Sequence, residues 1–363
     1  MIIYFLIFPI ITIFYIFPIR NYINRRKFFV SLSFLFLTIV AVFRASTVGA
    51  DVPTYEGLFV QLLSGESTGH GNTPIYNLYS QLVGKVSAQP LAITIANSIV
   101  ICVLMAVFIY YSEVNPFYAT LLFVGMYFYA DSLNGARQYI AIALVLNAFL
   151  FLLKRKWIWY ISLTLIAIGV HATAIVSLIY IPIVLIRWTL KKSIIFIGSL
   201  VVLGLLYLKI IDIFVKIFPR YSFYITGDGY ENVQTIGTVS QGKILYYYLF
   251  LLTVFLITVF LINKYRVVIT TDETKIIICY AISLFVGIIF YNAILVQRVI
   301  WYFSIWGIIF FPIMENKLSK IFSGGKGDSK FLFVLFLLII FVVYIIRLQN
   351  NYDMIVPYRT WIS

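Results

Sequence analysis

Long apolar runs constrain this chain more than any other feature of its sequence. Their lengths are close to the ~20 residues that a helix needs to cross the hydrocarbon core of a bilayer. Hydrophobic residues make up 63% of the chain and charged residues 11%, which excludes an ordinary soluble domain. We therefore predict an all-α polytopic membrane protein, with a single integral membrane domain over residues 1–363. The ten predicted full spans are 2–19, 28–43, 89–111, 116–130, 137–153, 193–211, 243–262, 276–291, 299–314 and 331–347.

The segment 157–187 differs from these runs because basic clusters flank it on both sides. Residues 154–156 precede it and residues 187–192 contain the second cluster. Basic residues accumulate on the cytoplasmic side of a membrane, so both ends belong on that side and a single spanning helix cannot join them. We predict a hairpin of two short helices with its tip near Gly169–Thr173. The hairpin brings the total to about 12 membrane helices.

The net charge of +14 orients the chain. In a soluble protein such a charge would suggest a nucleic-acid partner. In a membrane protein the position of the basic residues matters more than their sum, and more than half of the Lys and Arg lie in loops that a single topology places on the cytoplasmic side. This topology puts both termini outside, and we expect no nucleic-acid partner. The first run lacks a basic segment before it and a cleavage site after it, so we expect a retained helix. The outer loops are 44–74, with a short helix, and the larger 212–242.

Several arginines fall on the predicted outer side, where basic residues are disfavoured. One interpretation is that they reach lipid headgroups, as interfacial cations often do. We favour a bound anion, held where guanidinium groups from separate segments converge in one outward-facing pocket. The arginines in question include Arg44, Arg137, Arg220 and Arg298.

The stretch Arg44–Phe59, RASTVGADVPTYEGLF, is the first polar interruption between apolar runs. Gly49 permits a turn, and Asp51 stands where a helix needs an N-cap, with proline in the first turn. Tyr55 and Phe59 follow at steps of four, so they are predicted to share one helix face. Asp51 is therefore either a cap alone or a cap that also serves the site.

Three further positions are candidates for chemistry. Asn134, Arg137 and Gln138 have the spacing of one helix face. His171, at the predicted hairpin tip, is either a packed core histidine or a base exposed to an outer cavity. Arg298 precedes Tyr302 by one turn, a pairing that suits a phosphate or a sugar hydroxyl.

Missing motifs narrow the possible chemistry. The chain has no DxD pair, Walker loop or HExxH, which argues against nucleotide-driven chemistry. Cys102 and Cys279 both lie within apolar runs, so we expect neither a disulfide nor a metal site. We predict no cofactor and no metal.

Taken in order, these residues resemble the EpsG branch of the Wzy-type polysaccharide polymerases, which build O-antigen, capsule or exopolysaccharide in bacteria. The resemblance extends over nearly the whole chain, and the large outer loop is shorter than is usual for the family. The matching elements are R-x-S-T-V-G-A-D-x-x-x-Y-x-x-x-F from Arg44 to Phe59, Asn134-Gly-Ala-Arg137-Gln138, His171-Ala-Thr-Ala-Ile, Pro219-Arg220-Tyr221, Arg298 with Tyr302-Phe303, and Ile355-Val-Pro357-Tyr358.

The resemblance implies a metal-independent membrane glycosyltransferase of GT-C-like architecture, in the bacterial inner membrane with its site on the outer face. It implies transfer of a growing glycan from undecaprenyl pyrophosphate to another lipid-linked repeat unit, with the lipid bilayer and a chain-length regulator as partners. An O-antigen ligase and a lipid-linked oligosaccharide flippase are the alternatives. The predicted catalytic residues are His171 as base, Arg137 at the pyrophosphate and Asp51; the predicted substrate-binding residues are Arg44, Tyr55, Asn134, Gln138, Arg220, Arg298 and Tyr302.

Overall fold

The computed structural model describes the chain except for residues 20, 67–72, 207–230, 292–293, 323–327, 352 and 363. Two compact units are present: Met1–Ile181 together with Phe311–Ser363, and Pro182–Phe310. The regular secondary structure of the described residues is helical, with one isolated β-bridge and no strand, as predicted for the fold class. The prediction of a single membrane domain stays a prediction.

The helices follow one another in chain order. The first nine are α1 Ile2–Ile16, α2 Tyr22–Val42, α3 Val52–Leu63, α4 Pro74–Val86, α5 Leu91–Tyr111, α6 Pro116–Gly125, α7 Phe128–Asn134, α8 Ala136–Leu153 and α9 Trp157–Val170. A 3₁₀ helix, Ala172–Ile179, comes next. The later helices are α10 Tyr180–Leu185, α11 Leu190–Leu205, α12 Glu231–Lys264, α13 Thr271–Ile289, α14 Ile294–Ser304, α15 Gly307–Phe322 and α16 Asp328–Asn350.

Five helical segments in the described part of the chain are long and apolar enough to cross a membrane. They support a polytopic membrane protein, whereas the total of about 12 membrane helices and the GT-C-like arrangement stay predictions. In the first unit, α8 is the most buried of these segments and packs against both α5 and α9. The five segments are Leu91–Tyr111, Ala136–Leu153, Ile244–Lys264, Val296–Ser319 and Leu332–Asn350.

The apolar run 116–130 is not one helix, contrary to the sequence-based prediction. Tyr127 has a φ of 77°, in the left-handed region, and separates α6 from α7. A bulky residue adopts this conformation only when its surroundings hold it there. The Tyr127 ring is buried, with the guanidinium carbon of Arg347 3.9 Å from its centroid. Hydropathy contains no sign of this break.

The predicted hairpin at 157–187 has its turn at His171. This residue ends α9 with an extended backbone (φ −150°, ψ 117°), and the 3₁₀ helix begins directly after it. The Tyr160 hydroxyl donates a 2.8 Å hydrogen bond to the carbonyl oxygen of Ser177. The two arms therefore lie side by side, and His171 is at the tip as predicted.

Loops that the predicted topology assigned to one side lie together in the first unit. At one end, the Arg26 guanidinium donates hydrogen bonds to the carbonyl oxygens of Ile109, Tyr110 and Val114 at 2.6–2.8 Å. At the other end, residues 351–361 pair with residues 43–50. Which end faces outward stays a prediction.

Candidate functional site

A cleft lies between α3, α4 and the start of α8. Its walls differ in character, because α3 contributes mainly apolar side chains whereas α4 contributes a phenol, an amide and a hydroxyl. Arg137 supplies the only charge among the lining residues. The lining residues are Tyr55, Leu58, Phe59, Leu62, Tyr76, Asn77, Ser80 and Arg137.

The Arg137 guanidinium lies against two aromatic rings in this cleft. Its Cζ atom is 5.1 Å from the ring centroid of Tyr55 and 5.5 Å from that of Tyr76. The Nε atom is buried, and among the described residues it has no hydrogen-bond partner. A buried donor without a partner is uncommon and costly. The arrangement is therefore suited to an anion that would satisfy this donor, and less suited to a side chain extended toward lipid headgroups.

The two tyrosines that contact Arg137 are held by different means. Tyr55 and Phe59 share one face of α3, as predicted, and both are buried. The hydroxyl of Tyr76 accepts a 2.9 Å hydrogen bond from Nδ2 of Asn97 in α5. Burial is the main cause that raises the pKa of Tyr76, so its phenol remains a neutral hydroxyl. Both rings are thereby fixed as apolar, electron-rich surfaces beside the cation.

The turn between α7 and α8 corrects one prediction. Asn134, Arg137 and Gln138 do not share a helix face, because α7 ends at Asn134 and α8 begins at Ala136 after Gly135 (φ −84°, ψ 48°). Asn134 Oδ1 accepts a 2.7 Å hydrogen bond from the backbone N–H of Asp51. Gln138 is buried. The three side chains therefore have separate surroundings, and of the three only Arg137 lines the cleft.

Asp51 occupies the N-cap position of α3, as predicted, but its side chain makes no capping hydrogen bond. The turn before it needs Gly49, which has a φ of 115° and lies so close to the carbonyl oxygen of Leu133 that a Cβ atom would be 2.9 Å from it. The N-terminus of α3 is therefore fixed by its backbone contacts to Leu133 and Asn134. A site role for the Asp51 carboxylate stays a prediction.

Arg44 is enclosed by the protein and does not line the cleft. One of its terminal nitrogens donates to the carbonyl oxygen of Ala41 at 2.6 Å and to Oγ of Ser98 at 2.7 Å. The other donates to the carbonyl oxygen of Leu133 at 3.2 Å. These bonds join α2, α5 and α7, so the geometry gives Arg44 a structural function, and its predicted contact with substrate stays a prediction.

His171 is partly exposed at the hairpin tip, and its Nδ1 lies 2.6 Å from Oγ1 of Thr173. It does not line the cleft. Two residues earlier, Gly169 packs so closely on Ile75 of α4 that a methyl group there would overlap the isoleucine. This contact joins the tip of the hairpin to the end of α4 that carries Tyr76.

Two carboxylates, Asp131 and Asp353, lie next to the turn between α7 and α8. Asp131, which is 4% exposed, accepts a 3.1 Å ion-paired hydrogen bond from Arg347, and the Tyr139 hydroxyl is 3.4 Å from its second oxygen. Asp353 lies near Asp131 and accepts a 3.1 Å hydrogen bond from Asn134 Nδ2. Burial raises the pKa of Asp131 to about 8 despite the opposing effect of Arg347, and Asp353 adds to the increase.

The remaining predicted residues lie outside the first unit. Arg220 falls in 207–230, outside the described residues. In the second unit, Arg298 is exposed on α14 and Tyr302 is buried one turn later. Gln297 accepts a hydrogen bond from the Tyr248 hydroxyl at 3.1 Å. Its amide oxygen therefore has a protein partner.

Sequence analysis did not identify Tyr76, Asn77 and Ser80 as site residues. All three belong to α4, and Tyr76 and Ser80 are four residues apart on its buried face. The alternation of aromatic and small polar residues in this short helix was the available signal. Asn97, the hydrogen-bond partner of Tyr76, could not be identified, because it lies within an otherwise apolar run.

Comparisons with known proteins agree with the resemblance that the motifs suggested. No curated protein and no solved structure matches the chain. A family profile, described as the EpsG family, matches residues 27–360. The match includes α3, α4, the turn between α7 and α8, and the chain beyond α16 as far as residue 360. The chain therefore belongs to the EpsG family, a family of Wzy-type polysaccharide polymerases.

Proposed function

We propose that this protein is a surface-polysaccharide polymerase of the bacterial inner membrane. It transfers a growing glycan from undecaprenyl pyrophosphate onto the non-reducing end of another undecaprenyl-pyrophosphate-linked repeat unit. Membership of the EpsG family supports the reaction class. The arrangement around Arg137 is the single observation that best supports the lipid-linked, anionic donor.

Arg137 has the properties that a pyrophosphate ligand requires. The guanidinium stands over the two tyrosine rings, and its buried Nε has no partner among the described residues. A planar fork of donors matches phosphate oxygens better than an ammonium group does. The lining residues on α3 and α4 add apolar and hydrogen-bonding surfaces beside the cation. Such a cleft suits a ligand that joins an anionic headgroup to a sugar.

The reaction exchanges one bond at the anomeric carbon for another. The acceptor hydroxyl oxygen forms a bond to C1 of the donor sugar, and the bond between C1 and the pyrophosphate oxygen breaks. Undecaprenyl pyrophosphate leaves with the bonding electrons, and Arg137 stabilises the negative charge that develops on it. The hydroxyl proton passes to His171, whose imidazole suits proton transfer near neutral pH. Asp51 orients the acceptor at the N-terminus of α3.

The other predicted residues assist in binding. Arg298 and Tyr302, in the second unit, keep the substrate-binding role that the sequence predicts for them. Arg220 and Tyr55 hold phosphate or glycan, whereas Arg44 is enclosed by the protein and its contact with substrate stays a prediction. A chain-length regulator is the protein partner of the reaction. We place the site on the outer face of the membrane, since its arginines depart from the cytoplasmic bias of basic residues.

The surface glycan of the native host tests this function. In a strain that lacks the gene, we expect single repeat units and no ladder of longer chains, and the wild-type gene should restore the ladder. Arg137→Lys should not restore it, because Lys keeps the charge but loses the planar fork. Arg155→Lys is the matched control, an exposed arginine in a predicted inner loop, and should restore the ladder fully.

Two outcomes would contradict the proposal. A normal ladder with Arg137→Lys at wild-type protein levels would exclude the assigned role of the guanidinium. A deletion strain with no attached repeat unit at all would indicate a ligase or a flippase, since either would block a step other than elongation. Gel electrophoresis of the extracted surface glycan shows the chain-length pattern for both outcomes.

A further inference from the structure

The C-terminal segment, residues 351–361, returns to the turn that precedes α3. It forms an irregular antiparallel pairing with residues 43–50, more than 300 positions earlier in the chain. The Tyr4 hydroxyl also donates to the carbonyl oxygen of Ile355 at 2.9 Å, which attaches α1 to the same segment. The backbone hydrogen bonds are Ala45 N to Arg359 O at 2.8 Å, Gly49 N to Met354 O at 3.0 Å, Ala50 N to Asp353 O at 2.9 Å and Trp361 N to Phe43 O at 3.2 Å.

One side chain joins this pairing to the turn before Arg137. Asn134 donates to Oδ1 of Asp353 at 3.1 Å and accepts from the backbone N–H of Asp51 at 2.7 Å. It therefore contacts the C-terminal segment and also Asp51, the residue directly after the paired stretch 43–50. Asn134 is also the last residue of α7, three positions before Arg137. Its amide is the direct connection between the C-terminal segment and the start of α8.

The other end of the same network is fixed to α16. Arg347 pairs with Asp131 at 3.1 Å, and its guanidinium covers the ring of Tyr127 at 3.9 Å. Tyr127 precedes α7, and Asp131 is within it. The short helix α7 is thus held at its beginning, its middle and its end by α16 and by the segment that follows α16.

This restraint matters because Gly135 interrupts the helical path between α7 and α8. A continuous helix would fix the direction of Arg137 through its own backbone hydrogen bonds. A glycine junction with a non-helical ψ leaves that direction to be set by outside contacts. A catalytic group displaced by about 1 Å can lose on the order of a hundredfold in rate.

We propose that the C-terminal segment positions Arg137 for catalysis, with Asp353 as its main positioning residue. By holding Asn134, the Asp353 carboxylate fixes the α7–α8 turn and so the placement of the guanidinium between Tyr55 and Tyr76. This inference rests on the proposed function of Arg137. Asp353 itself need not touch substrate.

The test uses full-length protein purified in detergent and lipid-linked repeat units extracted from the deletion strain of the native host. We expect Asp353→Ala to lower kcat for elongation about ten- to hundredfold, with KM changed much less. Asp353→Asn keeps an oxygen that can accept from Asn134, so it should recover kcat to within about threefold of the wild type. If Asp353→Ala does not accumulate, Asp353→Ser replaces it, because its short side chain cannot reach Asn134.

The matched control is Trp361→Ala in the same segment. Trp361 donates to the carbonyl oxygen of Val42 at 3.0 Å and stacks on Phe43 at 5.8 Å. Loss of these contacts should lower the thermal unfolding temperature while kcat per folded molecule stays within about twofold of the wild type. A parallel fall of kcat in Trp361→Ala and Asp353→Ala would overturn the proposal in favour of general destabilisation.

A double-mutant cycle separates this inference from the function on which it rests. In an Asp353→Ala background Arg137 is already misplaced, so adding Arg137→Lys should cost much less than it does in the wild type. Full additivity, or wild-type kcat for Asp353→Ala, would overturn the positioning role while the effect of Arg137→Lys alone still supports the function. Wild-type kcat for Arg137→Lys alone would contradict the function itself.

Discussion

Arg44 and Arg137 lie in the same unit, yet their replacement by lysine should have opposite consequences. The Arg44 guanidinium donates to two carbonyl oxygens and one hydroxyl, all inside the protein. A single ammonium group on a differently shaped side chain cannot satisfy all three acceptors. Each buried acceptor left without a partner costs about 1–3 kcal/mol. Two such losses sum to about 2–6 kcal/mol, a large part of the 5–15 kcal/mol that is typical of a folded domain.

For Arg137, replacement by lysine should change the reaction rate much more than the free energy of unfolding. Its buried Nε contributes no hydrogen bond within the described chain, and its main contacts are the two tyrosine rings. Lysine can make similar cation–π contacts, so Arg137→Lys should cost under about 1 kcal/mol of stability. In the reaction, removal of one preorganised donor costs about 2.7–4 kcal/mol. Because lysine retains the charge, we expect the lower part of that range, about a hundredfold in rate.

The assay compares thermal unfolding of each variant in detergent with its rate of glycan elongation per folded molecule. Arg44→Lys should unfold at a clearly lower temperature and, where folded, should elongate at nearly the wild-type rate. Arg137→Lys should unfold almost as the wild type does and elongate about a hundredfold more slowly. A stable Arg44→Lys with a slow rate would return Arg44 to the substrate-binding role predicted from sequence. An unstable Arg137→Lys with a normal rate would refute the argument for the cleft.

Three further substitutions test the surroundings of the cleft. Tyr76→Phe keeps the ring beside Arg137 and should retain activity within about threefold, whereas Tyr76→Ala should lower it at least tenfold, measured as elongation rate. His171→Gln should abolish long glycan chains on the surface while protein levels in the membrane stay normal, since glutamine cannot take up a proton. Gly169→Leu should destabilise the protein through overlap with Ile75, and Ile75→Ala in the same chain should recover part of the unfolding temperature. Equal unfolding temperatures for the single and double variants would contradict that contact.

Periodicity and charge asymmetry predicted those features that depend on local sequence. The shared face of Tyr55 and Phe59 followed from their spacing of four. The hairpin with His171 at its tip followed from basic clusters at both of its ends. Both kinds of signal act over a few turns of helix, and both agree with the structure because no distant contact opposes them.

Breaks inside continuous patterns could not be predicted in the same way. Tyr127 leaves the helical conformation in the middle of an apolar run because Arg347, far away in the chain, covers its ring. Gly135 separates Asn134 from Arg137, although their spacing alone favoured one face. At Tyr127 a tertiary contact overrode a local preference, whereas at Gly135 the Asn-Gly dipeptide itself favours a turn. The cleft also depends on how α3, α4 and the start of α8 come together, which local sequence patterns do not encode.

The cleft is formed by one long helix, which carries the charged side chain, and two short helices, which carry most of the other lining residues. This distribution has a physical reason. Helix α8, which carries Arg137, is apolar and mostly buried, and its one charged side chain lies in its first turn. Helices α3 and α4 have 12 and 13 residues, and at about 1.5 Å per residue both are shorter than the ~30 Å hydrocarbon core. They can therefore carry tyrosine, asparagine and serine side chains without a cost of burial in lipid. The cation lies at the start of the long helix, while the surfaces that would contact sugar belong to the two short helices.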